Sequence, residues 1–133
     1  RNSGDLRQLR LPISAGYPDL KKSQNVLGFN DHGDSRYVHL GPGGEARLIL
    51  QQQPPVLPWL QRVGGAVTSF GRTDRKMRFS VRALIPTSIT FGAAKGCNLK
   101  RQDGGMMKFS QTGEILTAVL AEGAHNLELI CGK

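Results

Sequence analysis

Residues 76–83, KMRFSVRA, alternate between apolar and polar side chains more regularly than any other stretch of the sequence. Met77, Phe79 and Val81 occupy one parity, whereas Arg78 and Arg82 occupy the other. Because successive side chains of a β-strand point to opposite faces, this pattern predicts a strand with one face toward a core and one basic face toward solvent.

The rest of the chain shows the same kind of pattern in short segments separated by 17 glycines and 7 prolines, and none of it has a sustained helical period. We expect strands at residues 9–13, 35–40, 45–51, 63–70, 76–83, 88–92, 96–101, 106–110, 114–120 and 125–131. Strands at this spacing predict an all-β fold, an antiparallel two-sheet β-sandwich that is jelly-roll-like and carbohydrate-binding-module-like.

The connections suggest how these strands are joined. The tight turn GPGG at 41–44 predicts a hairpin between 35–40 and 45–51, and the proline-rich QQQPPVLPWL at 51–60 predicts an extended crossover. At 133 residues, with no internal repeat and no linker, we expect residues 1–133 to form a single domain. Because the chain has neither an initiator Met nor a signal pattern, we expect that domain to be excised from a longer chain.

The charge balance favours acidic partners. Lys and Arg number 18 against 10 Asp and Glu, which gives a formal net charge of +8. Nucleic acid is disfavoured all the same, because aromatic residues make up only 6% of the chain and Phe79 is expected in the core. No apolar run approaches the roughly 18 residues needed to cross a bilayer, so we expect no membrane insertion.

Cys97 and Cys131 are the two cysteines, and no CxxC pair suggests zinc or redox chemistry. A disulfide is the simplest interpretation, and it would indicate a periplasmic or secreted protein. Two buried free thiols remain the alternative.

FNDHGDSRYVHL, residues 29–40, holds the densest set of candidate site residues. Asp31, His32 and Asp34 are better explained as turn chemistry than as a metal site, because His32, Asp34 and the strand residue His39 do not share one parity. We therefore expect no metal. On the following strand, Val38 is expected in the core, which directs Tyr37 and His39 toward solvent or a groove.

Aromatic and polar groups on that strand face suit stacking on a sugar ring, with cross-strand packing of Tyr37 as the alternative. Trp59 and Tyr17 are each either packed plugs or a second exposed platform. The candidate carbohydrate-binding residues are Tyr17, Asp31, Asp34, Tyr37, His39 and Trp59. A second class of function, protein docking, is suggested by a basic face formed by Arg72, Arg75, Arg78 and Arg82.

Catalysis by this chain alone is not expected. The sequence contains no GxSxG, HExxH, P-loop or GxGxxG motif, and no acidic residue lies in a setting that predicts a raised pKa. We expect no catalytic residue and no cofactor.

The run LRLPISAGYPDLKKSQNVLGFNDHGDSRYVHLGPGGEARLIL, followed by RFSVRALIPTSITFG and a final HNLELIC, resembles the C-terminal β-domain of the periplasmic deacetylase and hydrolase of Pel-type exopolysaccharide biosynthesis. The resemblance extends over essentially the whole chain, and GYPDL, GFND and RYVHL are its most specific parts. It implies a parent enzyme that deacetylates an amino-sugar polymer with a metal ion. The Asp and paired-His motifs of that chemistry have no counterpart here.

What the resemblance implies for this chain is an accessory role in biofilm polysaccharide modification. We expect a non-catalytic carbohydrate-binding module that recognises an amino-sugar polysaccharide. The alternative is a module that docks through its basic face on the parent catalytic domain or a secretion-complex protein. Since a deacetylated amino sugar is cationic, a binding groove on a basic domain must be locally neutral or acidic, which Asp31 and Asp34 would provide.

Overall fold

A computed structural model describes residues 7–43, 45–73 and 76–131, and its regular structure is β-strand apart from one 3₁₀ turn at Ile13–Ala15. The strands, in chain order, are β1 (Arg7–Pro12), β2 (Tyr17–Pro18), β3 (Val26–His32), β4 (Ser35–Leu40), β5 (Leu50–Gln51), β6 (Trp59–Val63), β7 (Ala66–Thr73), β8 (Lys76–Ala83), β9 (Thr87–Gly92), β10 (Cys97–Arg101), β11 (Ser110–Thr112), β12 (Ile115–Leu120) and β13 (Gly123–Cys131). The all-β prediction is confirmed.

Two four-stranded antiparallel sheets form a sandwich, as predicted. One has the order β10-β13-β8-β7 and the other β11-β12-β9-β6. KMRFSVRA is β8, an interior strand, and Met77, Phe79 and Val81 are all buried. They pack with apolar side chains of the opposite sheet, among them Phe91 and Leu116, in one continuous core.

The first third of the chain adds a smaller layer that the sequence did not predict. A three-stranded sheet, β1-β4-β3, and a two-stranded sheet, β2-β5, surround a second apolar cluster of Leu20, Val26, Phe29 and Val38. Leu27 of β3 belongs instead to the main core, so the smaller layer packs against the sandwich.

The predicted hairpin between 35–40 and 45–51 is wrong. Both edges of β4 are occupied, one by β1 and the other by β3. Residues 45–51 instead form an isolated bridge between Arg47 and Gln24 and the short strand β5, which pairs with β2. The side-chain amide of Asn25 donates hydrogen bonds to the carbonyl oxygens of Pro42 and Glu45, at 2.8 and 3.0 Å. These bonds hold Pro42 and Glu45 against the residue that precedes β3.

The strand predicted at 106–110 is also wrong, since this segment makes only an isolated bridge between Met106 and Lys100. The strand that does form, β11, begins at Ser110 and pairs with β12, with Thr112 opposite Ile115. The turn at Gly113 and Glu114, where Gly113 has φ +62°, fixes this register.

The smaller layer meets the sandwich where β3 crosses β6. A Cβ placed on Gly28 would lie 2.0 Å from the carbonyl oxygen of Leu60, so only glycine allows the two strands to approach this closely. Gly28 lies opposite His39 in the β3–β4 register, and the Nε2 of His39 is 2.7 Å from the carbonyl oxygen of Gln61 on β6. One face of the three-stranded sheet is therefore covered by the sandwich.

The disulfide is present. Cys97 and Cys131 are in-register partners on β10 and β13, their sulfurs are bonded, and both residues are buried. The bond joins Cys131, at the end of β13, to Cys97 on the neighbouring strand β10. The two cysteines are 34 residues apart in sequence.

Candidate functional site

Arg36 is the centre of the densest polar cluster in the smaller layer. Its side chain is only 2% exposed, and its Nε and Nη2 donate to the two carboxylate oxygens of Asp31 at 2.7 and 2.9 Å. Its Nη1 donates to the carbonyl oxygen of Gly16 at 2.6 Å. The β3–β4 register places Asp31 directly opposite Arg36, so the hairpin itself aligns the pair.

Three aromatic rings complete the cluster. The Arg36 guanidinium carbon lies 4.2 Å from the ring centroid of Tyr17 and 5.2 Å from that of Phe29. Phe29 also stacks on Trp59, with centroids 4.6 Å apart and ring planes 19° apart. Trp59 fits because it faces Gly92, where a Cβ would come within 2.5 Å of the indole.

This geometry makes the cluster a packed unit. Hydrogen bonding to Asp31 is the main cause that raises the pKa of Arg36 above its usual value, so the guanidinium stays charged at any working pH. Trp59 and Tyr17 were each expected to be either packed or an exposed platform. Both side chains are largely covered by neighbours within the cluster, which favours the packed alternative. The structure thus brings Tyr17, Asp31 and Trp59 together, but they surround Arg36 instead of forming an open binding face.

His39 does not face solvent, contrary to expectation: it is 3% exposed. Its parity relative to Val38 is as predicted, but β6 covers the face on which it lies. Burial lowers the pKa of His39, and the hydrogen bond to the Gln61 carbonyl opposes this only in part. The neutral ring donates from Nε2, and its buried Nδ1 has no partner among the described residues.

The two remaining candidates lie nearer the surface. Asp34 is exposed in the Gly33–Asp34 turn, where Gly33 has φ +62°, in agreement with the predicted turn chemistry. Tyr37 is half-buried, between Arg10 on β1 and Asn30 on β3 in the register. Neither lies in the Arg36 cluster.

A different surface is more open: the outer face of the sheet β10-β13-β8-β7. Lys76 and Arg78 are exposed on it, and both approach Glu128 of β13, each with a nitrogen 3.4 Å from a carboxylate oxygen. Arg82 is exposed on the same strand face, opposite Ala124. The predicted basic face of β8 therefore exists, and Glu128 neutralises only part of it.

A row of hydrogen-bonded polar side chains crosses this face. The Ser69 hydroxyl donates to Ser80 at 3.0 Å, and the Ser80 hydroxyl donates to the side-chain oxygen of Asn126 at 2.6 Å. Beside the row, Arg78 donates to the side-chain oxygen of Gln102 at 3.4 Å. The row runs over strands β7, β8 and β13.

Next to this row the sheet carries a shallow depression of about 260 Å³, lined by Ser69, Phe70, Gly71, Arg78 and Gln102. Gly71 lies opposite Arg78 in the register, and a Cβ built on it would meet no atom within 4 Å. The missing side chain exposes the strand backbone to solvent at the centre of a polar surface. We call this surface the Gly71 depression.

One of the predicted docking residues does not contribute to this face. Arg72 lies on the opposite side of β7, with its guanidinium largely buried, because its register partner is the core residue Met77. Arg75 lies outside the described residues. Of the predicted set, the described residues that lie on this face are Arg78 and Arg82.

Sequence reasoning missed Ser69, Gly71, Gln102 and Asn126. A signal was present for Ser69, Gly71 and Asn126, because they lie on strands whose apolar residues face the core at alternate positions. The long-range pairing that puts them beside one another has no local signal.

Within the described ranges no group of three or more His, Cys, Asp or Glu residues could hold a metal ion, and no helix is long and apolar enough to span a membrane. Comparisons of the chain with protein-family models, with curated proteins and with solved structures returned no match.

Proposed function

We propose that this chain is a non-catalytic carbohydrate-binding module, an accessory domain of an enzyme that modifies an exopolysaccharide outside the cytoplasm. The observation that carries the proposal is the Gly71 depression. It combines exposed backbone, a row of hydroxyl and amide groups and a charged hydrogen-bond donor, Arg78, on one flat sheet face. The buried disulfide supports a periplasmic or secreted location.

Sugar hydroxyl groups both donate and accept hydrogen bonds, and the depression offers both kinds of partner. The Ser69 hydroxyl can act either way, Arg78 donates, and the side-chain oxygen of Gln102 accepts. At about 260 Å³ the depression is smaller than the roughly 300–1,000 Å³ typical of sites for drug-sized ligands. It suits one sugar unit of a chain that lies across the sheet.

The surrounding charge restricts the kind of sugar. Among the described residues of strands β8 and β13, the exposed Lys76, Arg78 and Arg82 outnumber the carboxylate of Glu128, so this face repels a deacetylated, cationic amino sugar. Neutral N-acetylated stretches of an amino-sugar polymer fit better. The stacking platform expected at Tyr37 and Trp59 gives way to recognition by hydrogen bonds.

The test is retention of the chain on an N-acetylated amino-sugar polymer, on its deacetylated form and on DNA, at low and high salt. Binding to the N-acetylated polymer should tolerate salt, since neutral hydrogen-bonded contacts are little screened. Gly71→Val should abolish it, because the added side chain fills the depression while suiting an exposed strand position. Ser88→Val, at an exposed position of the other sheet, is the matched control.

Retention of the polymer by Gly71→Val as strongly as by the wild type would show that the depression is not the binding surface. Binding only to DNA, with a steep loss as salt rises, would count against carbohydrate recognition altogether.

A second candidate function is docking to an acidic protein through the same sheet. The observation that favours it is the excess of cations over carboxylates on β8 and β13. Arg82→Glu separates the two candidates, since Arg82 does not line the depression. The charge reversal should weaken a salt-sensitive protein contact and leave polymer binding nearly unchanged.

A further inference from the structure

A cleft lies on the other side of β7, where the edge of this strand faces the segment that leads into β3. Its volume is about 340 Å³, and its lining includes Lys21, Ser23, Gln24, Asn25, Phe70 and Arg72. Among the described residues its lining has two cations and no carboxylate. The cleft adjoins the Gly71 depression along β7, since Phe70 and Gly71 line both, whereas Arg72 lines only the cleft.

Arg72 is left with an incomplete set of partners. Its Nη2 donates to the carbonyl oxygen of Pro58 at 2.7 Å. Its Nε and Nη1 are buried and have no hydrogen-bond partner within the described residues. Burial lowers the pKa of Arg72 to about 10, which still leaves it protonated at neutral pH.

The polar neighbours in the cleft do not satisfy this charge. The Ser23 hydroxyl is already bonded to the backbone of Ile49, at 2.9 and 3.2 Å, and the Asn25 amide to Pro42 and Glu45. A buried cation without an anionic partner is costly, and a guanidinium with free N–H groups is the side chain best suited to a carboxylate or phosphate. Among the described residues, no anionic partner compensates the charge of Arg72 in this cleft.

We infer that this cleft is a binding site for an oxyanion, a carboxylate or phosphate group of a ligand, with Arg72 as the anchoring cation and Lys21 as a second contact. No hydrogen bond between described residues restrains the exposed side chains of Lys21 and Gln24, so they can move aside as a ligand enters. The anchoring residue Arg72 lines the cleft and not the Gly71 depression, so this inference does not rest on the proposed carbohydrate function.

The site is tested by thermal unfolding of the wild-type chain at constant ionic strength, with chloride replaced stepwise by phosphate, acetate or glucuronate. Each oxyanion that binds should raise Tm as its concentration rises. Arg72→Met keeps much of the side-chain volume but removes the charge. Its apparent affinity for the oxyanion should be lower than that of the wild type by about tenfold or more. Arg62→Met, on β6, removes an exposed cation that lines neither the cleft nor the Gly71 depression, and it should respond like the wild type.

Equal Tm increases in all three proteins, or no increase in any, would overturn the proposal. A stronger response to glucuronate than to acetate identifies an acidic sugar as the ligand class, and a stronger response to phosphate identifies a phosphate group. If Arg72→Met does not fold, the Nε–H resonance of Arg72 in the ¹⁵N-labelled wild type decides the question. It must shift in a saturable way on addition of the oxyanion, and an unchanged resonance would refute the site.

Discussion

Arg36 and Asp31 lie directly opposite each other on β4 and β3 and form a two-point ion pair, with nitrogen–oxygen distances of 2.7 and 2.9 Å. The pair is asymmetric, because the Arg36 side chain is 2% exposed and that of Asp31 is 40% exposed. The carboxylate reaches in from the surface to neutralise a cation that the aromatic cluster has enclosed. The smaller layer is built around this charge.

Removing Asp31 should therefore cost more than losing an ordinary surface ion pair. Breaking a buried pair costs about 3–5 kcal/mol, and partial exposure of the carboxylate reduces the expected cost for Asp31→Ala to about 2 kcal/mol. Chemical denaturation measures this difference. In the double variant with Arg36→Met much of the loss should be recovered, and a double variant as unstable as the sum of the single variants would contradict the pairing.

His39 should make stability fall in mild acid. Its folded pKa is lowered by burial, so the unfolded chain binds the proton more tightly. Stability is then fully present above the unfolded pKa of about 6.5 and declines as pH falls below it. Thermal unfolding between pH 8 and pH 5 checks this. His39→Gln should flatten that part of the profile, and an unchanged slope would show that another group titrates.

The close approach of β3 to β6 should make Gly28 far less tolerant of substitution than Gly71. Gly28→Ala forces a Cβ to within 2.0 Å of the Leu60 carbonyl, and should cost about 3 kcal/mol or more as β3 and β6 separate. At Gly71 the same change meets no atom, so Gly71→Ala should alter stability by about 0.5 kcal/mol or less. Similar losses in the two variants would mean that the strands do not cross at Gly28.

The disulfide should contribute substantially to stability. Cys97 and Cys131 are separated by 34 residues, and a chain-entropy argument gives roughly 3–4 kcal/mol for a loop of that length. Replacing both cysteines by Ala should lower the free energy of unfolding by about this amount in denaturant titrations. Reductant should destabilise the wild type and leave the double variant unaffected. Equal sensitivity of both proteins would argue against a formed bond.

The sequence predicted the sandwich well because its strands carry their burial pattern locally. In β8 the apolar and basic residues alternate without a break, and the structure buries the apolar set. The failure at residues 45–51 has a different cause. The turn sequence 41–44 is compatible with a hairpin, but β1 and β3 already occupy both edges of β4, and no local pattern reveals such competition.

His39 shows the limit of parity as a guide to a site. Alternation correctly separated His39 from Val38, but it cannot say which face of a sheet another layer covers, and here both faces are covered. Arg36 shares parity with Val38, which was the available signal for its burial. Its partners Tyr17 and Gly16 come from another part of the chain, so the cluster itself was beyond prediction.

The most direct test of the proposed function is to map polymer binding onto the ¹⁵N-labelled chain by NMR, using soluble N-acetylated amino-sugar oligomers. The proposal predicts saturable shifts at Gly71 and Ser69 of β7, at Arg78 and Ser80 of β8, and at the Gln102 side chain, with little change around the Arg36 cluster. Shifts centred on Tyr37 and Asp34, or no shifts at concentrations that saturate a carbohydrate module, would contradict it.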